Sequence, residues 1–563
     1  MKIISSISLA SLLALSTLGL TAPAHAADPD FGPNVLIFDP SMQNIQAIND
    51  PIAKEMGNEG PGQFDDKRFA LLFKPGNYGQ IDLPVGYYTE VLGLGESPTA
   101  VVFTGRGPRS AHYGNVTQTF WRAVENLTVN NSSEYYWGVS QGTALRRVNV
   151  PGNKLNLFGG GWASGGFDAD CAVAKNLSLG GQQQWFSRNS TFGNAGSAVW
   201  NMVFVGCPNT PTKWPTNTSI PATPLIAEKP YLFIDASGAY AVKVPALRKD
   251  SNSTDWVAGV TPGKVISIND FYIAHATKTD KSPADTAASI NAALTTGKNL
   301  LLTPGIYHLE DSIKITRPDT VVLGIGYPTL IPDKGTPAMK VANVNGVKIG
   351  TLLLQASPTD CTSLLQVGDP GDTADRSADP TIIYDIFARV GGAGNGAADA
   401  MVTINSNNTI GDNAWLWRAD HGAGNGWNDS KNKNGLIVNG KNVIYYGLAV
   451  EHTQEYQTIW NADGGQVYFY QSEMPYDVPD GQKGWASYKV APNVTTHVAY
   501  GVGIYSFNHG GTIADNAIES STAPGVKFTH LVLFGNGKGG ITHTINGAGP
   551  GIGNGRQTMD NWP

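Results

Sequence analysis

The chain of 563 residues carries 67 glycines, only 15% charged residues, a formal net charge of −7 and a pI near 5.8. So many turn formers and so few charges exclude a helical bundle and predict an all-β, loop-rich protein, too long for one compact core. The acidic balance, with no basic run, excludes a nucleic acid or an acidic polysaccharide as partner and leaves a neutral ligand.

In chain order, Lys2 precedes an apolar run from Ile3 to Leu20 and a small-x-small step at Ala24-His25-Ala26. That pattern is a secretory leader over 1–26, which predicts a secreted protein, extracellular or periplasmic, starting near Ala27. No later stretch is long and apolar enough to span a bilayer, so a soluble product with no membrane partner is expected. A helix is predicted over Ile45 to Met56, which Pro51 should kink or shorten. It is followed by Leu71-Leu72-Phe73-Lys74-Pro75-Gly76-Asn77-Tyr78 and Val91-Leu92-Gly93-Leu94-Gly95. The same succession returns after a second predicted helix, Pro283 to Thr296, as Leu301-Leu302-Thr303-Pro304-Gly305-Ile306-Tyr307 and Val322-Leu323-Gly324-Ile325-Gly326.

This repeat predicts two homologous halves, 27–206 and 261–563, joined through 207–260. In the join, Cys207 to Pro224 is too rich in Pro, Thr and Asn for regular structure. Lys229 to Asp235 and Ala239 to Val244 read as a bridging hairpin across Ala236-Ser237-Gly238. Within each half, short β-branched segments such as Leu145-Arg146-Arg147-Val148-Asn149-Val150 alternate with Gly/Asn turns at the length of one solenoid coil. One coil cannot bury its apolar face alone, so stacking is required, and the helices would cap the open ends. The predicted fold is all-β, with two tandem right-handed parallel β-helices and short capping helices. Cys171, Cys207 and Cys361 allow one bridge at most, and a buried free thiol is expected for at least one of them.

Chemistry concentrates between Asn413 and Asp477. Glu451 and Glu473 are 22 residues apart, about one coil. Stacked coils lie roughly 4.7–4.9 Å apart, so the two carboxyls would become neighbours and one pKa would rise by like-charge repulsion. A carboxyl held neutral is a general acid for a glycosidic oxygen. Trp417, Asp420, His421, His452 and Tyr476 surround it with groups that stack on sugar rings or bond hydroxyls. In the first half, Gln141, Ser164 and the run Gln182-Gln183-Gln184 succeed one another at about one coil. They form either a stripe able to hold a water or sugar hydroxyl, or an internal polar ladder.

The chain resembles glycoside hydrolase family 55, the exo-β-1,3-glucanases or laminarinases with a tandem β-helix fold. The resemblance is carried by Trp415-x-Trp417-x-Ala419-Asp420-His421, Glu451-His452 with Tyr456-Gln457, and Gln471-Ser472-Glu473-Met474-Pro475-Tyr476. It extends through Tyr500 to Phe507 and, in the first half, through Ser164-Gly165-Gly166-Phe167 with Asp170, and Gln183-Gln184 with Ser187-Arg188-Asn189. It implies an inverting, exo-acting hydrolase of β-1,3-glucan with Glu473 as acid. Glu451 would be the second acidic residue of the site, Gln141 and Ser164 would hold the attacking water, and Tyr476 would touch the sugar. Gln183 and Gln184, with Asp420, His421, His452 and Trp417, complete the expected substrate contacts.

Two features depart from the family pattern. The acidic segment before each capping helix is absent or reduced, and the loop from Gly422 to Lys433 is long. A polysaccharide lyase on the same fold would need cations, of which Arg418 is the main one in the strongest motif. A non-catalytic carbohydrate-binding solenoid would use the same aromatics without an acid. No cofactor or metal is implied, because His421, His452, Asp420 and Glu451 lack a recognised ligand spacing. The protein is expected to act as a monomer on a neutral β-glucan.

Overall fold

The structure is a computed structural model that describes residues 28–58, 61–196, 199–279, 283–507 and 509–563. The expected leader, 1–26, lies outside them. The first half is a stack of parallel strands, from Val35–Phe38 and Phe69–Phe73 through Arg122–Val129 and Ala144–Val150 to Asn201–Val205. The second half stacks two parallel sheets around one core. One runs from Phe271–Ala274 through Ile410–Arg418, Ile444–Glu451 and Gly465–Glu473 to Gly525–Gly535, and the other from Ile313–Ile315 to Gly540–Ile545. Both halves are therefore parallel β-helices.

The repeated segment has a physical reason. Tyr78 donates its hydroxyl proton between the carbonyls of Phe38 (2.9 Å) and Lys74 (2.7 Å), and Tyr307 stands in the same way at Ala274 (2.8 Å) and Thr303 (3.0 Å). Pro75 and Pro304 thus occupy equivalent turns. The following glycine is obligatory, because a Cβ on Gly76 would lie 2.5 Å from Pro40 and one on Gly305 would lie 2.4 Å from Ala276.

The apolar runs are buried on both faces, as parallel strands covered on both sides must be. Leu71 and Phe73 point into the first core, while Ala70 and Leu72 pack against Leu301 and Leu323 of the other half. The same partition continues along the interface, where Trp121 meets Phe387 and Trp415, and Phe186 meets Phe469. At its centre lie charges. Arg146 makes 2.8 Å bonds to both oxygens of Asp385 and to Asp412, and Arg188 bridges Asp412 (2.9 Å) and Glu228 (2.7 Å). Arg147 pairs with Asp170 and Asp255.

Three local expectations are corrected. The helix Ile45–Met56 runs uninterrupted through Pro51, since burial of Ile45 and Met56 and packing of Ile48 and Ile52 on the first core outweigh the lost backbone bond. The second helix is shorter, Ala287–Thr295, and starts at a capping box between Thr286 and Ser289, with Glu310 accepting from the N–H groups of Ala287 and Ala288. The Pro/Thr/Asn-rich stretch from Cys207 to Pro224 is irregular only as far as Thr216. Asn217–Ile220 extends the first sheet because the edge of Asn201–Val205 receives it, and Thr223–Ile226 pairs with Arg248–Ser251 in a separate two-stranded sheet. The hairpin Tyr231–Ile234 with Tyr240–Pro245 has the register read from sequence, and Gly263–Ser267 adds a third strand beyond residue 260. All three cysteines are free and buried.

Candidate active site

A ladder of left-handed residues runs up the second-half sheet through Thr351, Asp385, Asn413, Gly447, Phe469 and Gly501, one per strand. Each strand then continues to a common row. In that row Trp417, Glu451, Glu473 and Tyr505 are successive partners, so the two glutamates are direct neighbours at strand ends, as their spacing predicted. His452, with φ of +64°, turns the chain away immediately after Glu451.

Opposite this row stand first-half turns, and between them opens a cavity of about 610 Å³. Gln141, Ser164, Gln183, Asp420, His421, His452, Tyr476, Trp417 and both glutamates all border it. Gln141 donates to Glu451 Oε1 (2.9 Å) and accepts from Ser164 Oγ (2.9 Å), which meets Ser140 Oγ at 2.8 Å. The Trp415 indole donates to Glu451 Oε2 (2.8 Å). A hydrogen-bond chain therefore crosses from one half to the other and ends on a carboxyl whose two oxygens are both engaged.

Burial, and then the Glu473 carboxyl, drive the Glu451 pKa well above the usual carboxylate range, against the Trp415 donor. Burial also leads at Glu473, pushed up to about 7, with the Tyr476 hydroxyl bond opposing and Asp420 assisting. The like charge of its neighbour, expected from sequence to be the cause, comes second to burial and falls on Glu451. Both carboxyls are thus raised: Glu473 can hold a proton near neutral pH, and at Glu451 the Gln141 and Trp415 N–H donors favour the ionised form against burial. His452 is driven down chiefly by burial, donates Nδ1–H to the Met474 carbonyl (3.2 Å), and holds Nε2 at 3.8 Å from Glu473. His421 binds Asp420 (2.8 Å); although burial opposes it, that bond and His452 hold the Asp420 carboxyl down at about 2.

Two expected substrate contacts stand differently. Gln184 faces away from the cavity and donates to the Ser164 carbonyl (2.9 Å), while Gln182 bonds the carbonyls of Val139 and Leu157. For these two the polar-ladder reading holds, because strand alternation turns only Gln183 toward the cavity. Trp417 borders the cavity but is 1% exposed and stacks on Phe64, so it is a wall and not an open platform. The open platform is Trp162, 61% exposed, and the same cavity is lined by Trp200 stacked on Phe534 at 4.2 Å. These three, on loops or late strands, were not picked out from sequence. Ser187-Arg188-Asn189 and Asp170 lie in the interface network and not in the cavity. Among the described residues no group of three or more His, Cys, Asp or Glu is placed to hold a metal ion.

A protonated carboxyl beside a polar chain and an aromatic wall, set between two parallel β-helices, is the equipment of a carbohydrate-active protein. Residues 279–473 match the LAM55 pectate lyase-like domain. An exo-β-1,3-glucanase of Streptomyces sp. (strain SirexAA-E / ActE) is 41% identical over 92% of this chain and 87% of its own. The solved structure of sacteLam55A from Streptomyces sp. SirexAA-E superposes with a TM-score of 0.90 at 39% identity, covering 95% of this chain and 99% of that one. A variant of sacteLam55A refined in complex with glucose gives the same figures. The chain belongs to glycoside hydrolase family 55, the Lam55 family.

Proposed function

We propose that the protein is a secreted, exo-acting β-1,3-glucanase that hydrolyses with inversion and works as a monomer. The carrying observation is the pair of strand-end carboxyls with unlike roles. Glu473, able to hold a proton near pH 7 and hydrogen-bonded to Tyr476, donates it to the glycosidic oxygen. Glu451 is a poor nucleophile, because Gln141 and Trp415 already occupy its two oxygens. Water is the attacking group instead, against Ser164 and Gln141. Ser164 donates its own proton to Gln141, which leaves its lone pairs for the water, and Glu451 is the ionisable acceptor behind them. The curated relative's name and the glucose in the sacteLam55A complex support a glucan as occupant. The leader read over 1–26 supports secretion.

A lyase is disfavoured by a specific observation. No Lys or Arg borders the cavity among the described residues, and Arg418 is buried and paired with Asp477 at 2.7 Å. Nothing is left to stabilise a uronate-derived charge.

The test is laminarin hydrolysis followed by proton NMR. Glucose released first as the α-anomer is the expected result, and a β-anomer or an ultraviolet-absorbing unsaturated product would overturn the assignment. Gln141→Ala and Ser164→Ala should each lower kcat by about a hundredfold with little change in KM, because they align water for attack. Unchanged turnover in both would reduce them to an internal ladder.

A further inference from the structure

A second depression lies on the outer face of the second β-helix, with a volume of about 560 Å³. Among the described residues two tryptophans stand more than a third exposed: Trp162 in the active cavity at 61% and Trp485 in this groove at 45%. An exposed indole forfeits the burial that stabilises most tryptophans, and in the cavity that exposure coincides with the place where a sugar would stack. Trp485 is braced by a T-shaped contact with Tyr456, centroids 4.9 Å apart. Trp427 lines the same groove from the long loop, seated over the Arg418 guanidinium at 5.3 Å and anchored where Gln454 donates to its carbonyl (2.7 Å).

The side-chain amides of Asn428 and Gln482 also line the groove and make no hydrogen bond within the described residues. Three acids (Asp360, Asp399, Glu455) and two lysines (Lys431, Lys433) nearly cancel in charge, and Lys433 pairs with Asp399 at 2.7 Å. Two indoles, free amides and near-neutral charge match a neutral polysaccharide and not an ionic one. The loop that leaves the active cavity at Asp420 and His421 arrives in the groove at Trp427 and Asn428, so the two sites share one connecting segment. This is the loop that departs in length from the family pattern.

We propose that this groove is a non-catalytic holding site for a β-1,3-glucan chain, keeping polymer beside the active cavity. The inference rests on the β-1,3-glucanase reading above. The test uses Trp485→Ala and Asn428→Ala in the full-length protein. Retention on insoluble β-1,3-glucan, measured in a Glu473→Gln background so that the polymer survives, should fall roughly five- to tenfold for Trp485→Ala, the worth of one aromatic stack. Asn428→Ala should weaken retention less. With Glu473 restored, hydrolysis of long-chain glucan should fall in parallel while kcat/KM on laminaritriose stays at the wild-type value. Wild-type retention and long-chain hydrolysis in both variants would overturn the holding site while leaving the enzyme assignment intact. Equal losses on the polymer and the trisaccharide would also overturn it, by assigning the groove to the support of the active cavity. Failure of the wild-type protein to hydrolyse any β-1,3-glucan would instead refute the functional reading itself.

Discussion

Glu473→Gln is expected to lower laminarin hydrolysis by roughly 10²–10⁴-fold, the usual worth of general acid catalysis, with the fold unchanged. Glutamine keeps the size of the side chain and can still accept from Tyr476, so the loss isolates proton donation. An activated aryl glycoside should lose far less, because its leaving group departs without protonation. The same residue sets the alkaline limb of the pH profile. The working form is the protonated acid, and burial places its pKa at about 7, so activity should hold below that value and decline as pH rises through it. Near-normal laminarin hydrolysis by Glu473→Gln would remove it as the acid and pass the role to Glu451, since Asp477 is committed to Arg418.

Arg146→Met is expected to destabilise the protein by roughly 3–5 kcal/mol, read as a lowered midpoint of chemical denaturation. Its guanidinium is 2% exposed, bonds Asp385 and Asp412 across the two halves, and covers the Phe167 ring at 4.6 Å. Burial alone would raise the Asp385 carboxyl, but Arg146 and Lys229 together hold it below its ordinary value. Methionine supplies the apolar bulk and none of the charge, which leaves two buried carboxylates sharing Lys229 and Arg188. A shift of less than about 1 kcal/mol, the scale of a surface pair, would show that these charges are solvated in the folded protein.

Much of the fold was legible because its signals are local. Pro-Gly-x-Tyr reports a turn closed by one tyrosine hydroxyl, and a 22-residue interval between Glu451 and Glu473 equals one coil. What escaped depends on contacts distant in the chain. Arg146 lies 239 residues before Asp385, and no periodicity links them. The strand Asn217–Ile220 looks like a loop until the edge of Asn201–Val205 is present to receive it. Trp162 and Trp200 sit outside any repeating pattern, so only the assembled cavity distinguishes them from other aromatics. The first-half motif at Ser187 to Asn189 carries the resemblance but not its role, since a buried ion pair leaves the same polar mark in sequence as a binding site does.

Two solenoids laid side by side face a hazard unknown to ordinary domains: each is nearly periodic, so one can slide past the other by a whole rung and still bury grease against grease. The charged column in the first half removes that degeneracy by being aperiodic. Glu125, Arg146, Ala169 and Arg188 are successive partners along it. A slip of one rung in one direction would set Glu125 against Asp385 and Asp412, carboxylate facing carboxylates. A slip in the other direction would set Ala169 there and take from Asp385 the guanidinium that bonds both its oxygens. The interface thus acts as a keyway with a single seating. Because Gln141 and Ser164 stand on one side of the joint and Glu451 and Glu473 on the other, that single seating also fixes the alignment of the catalytic groups.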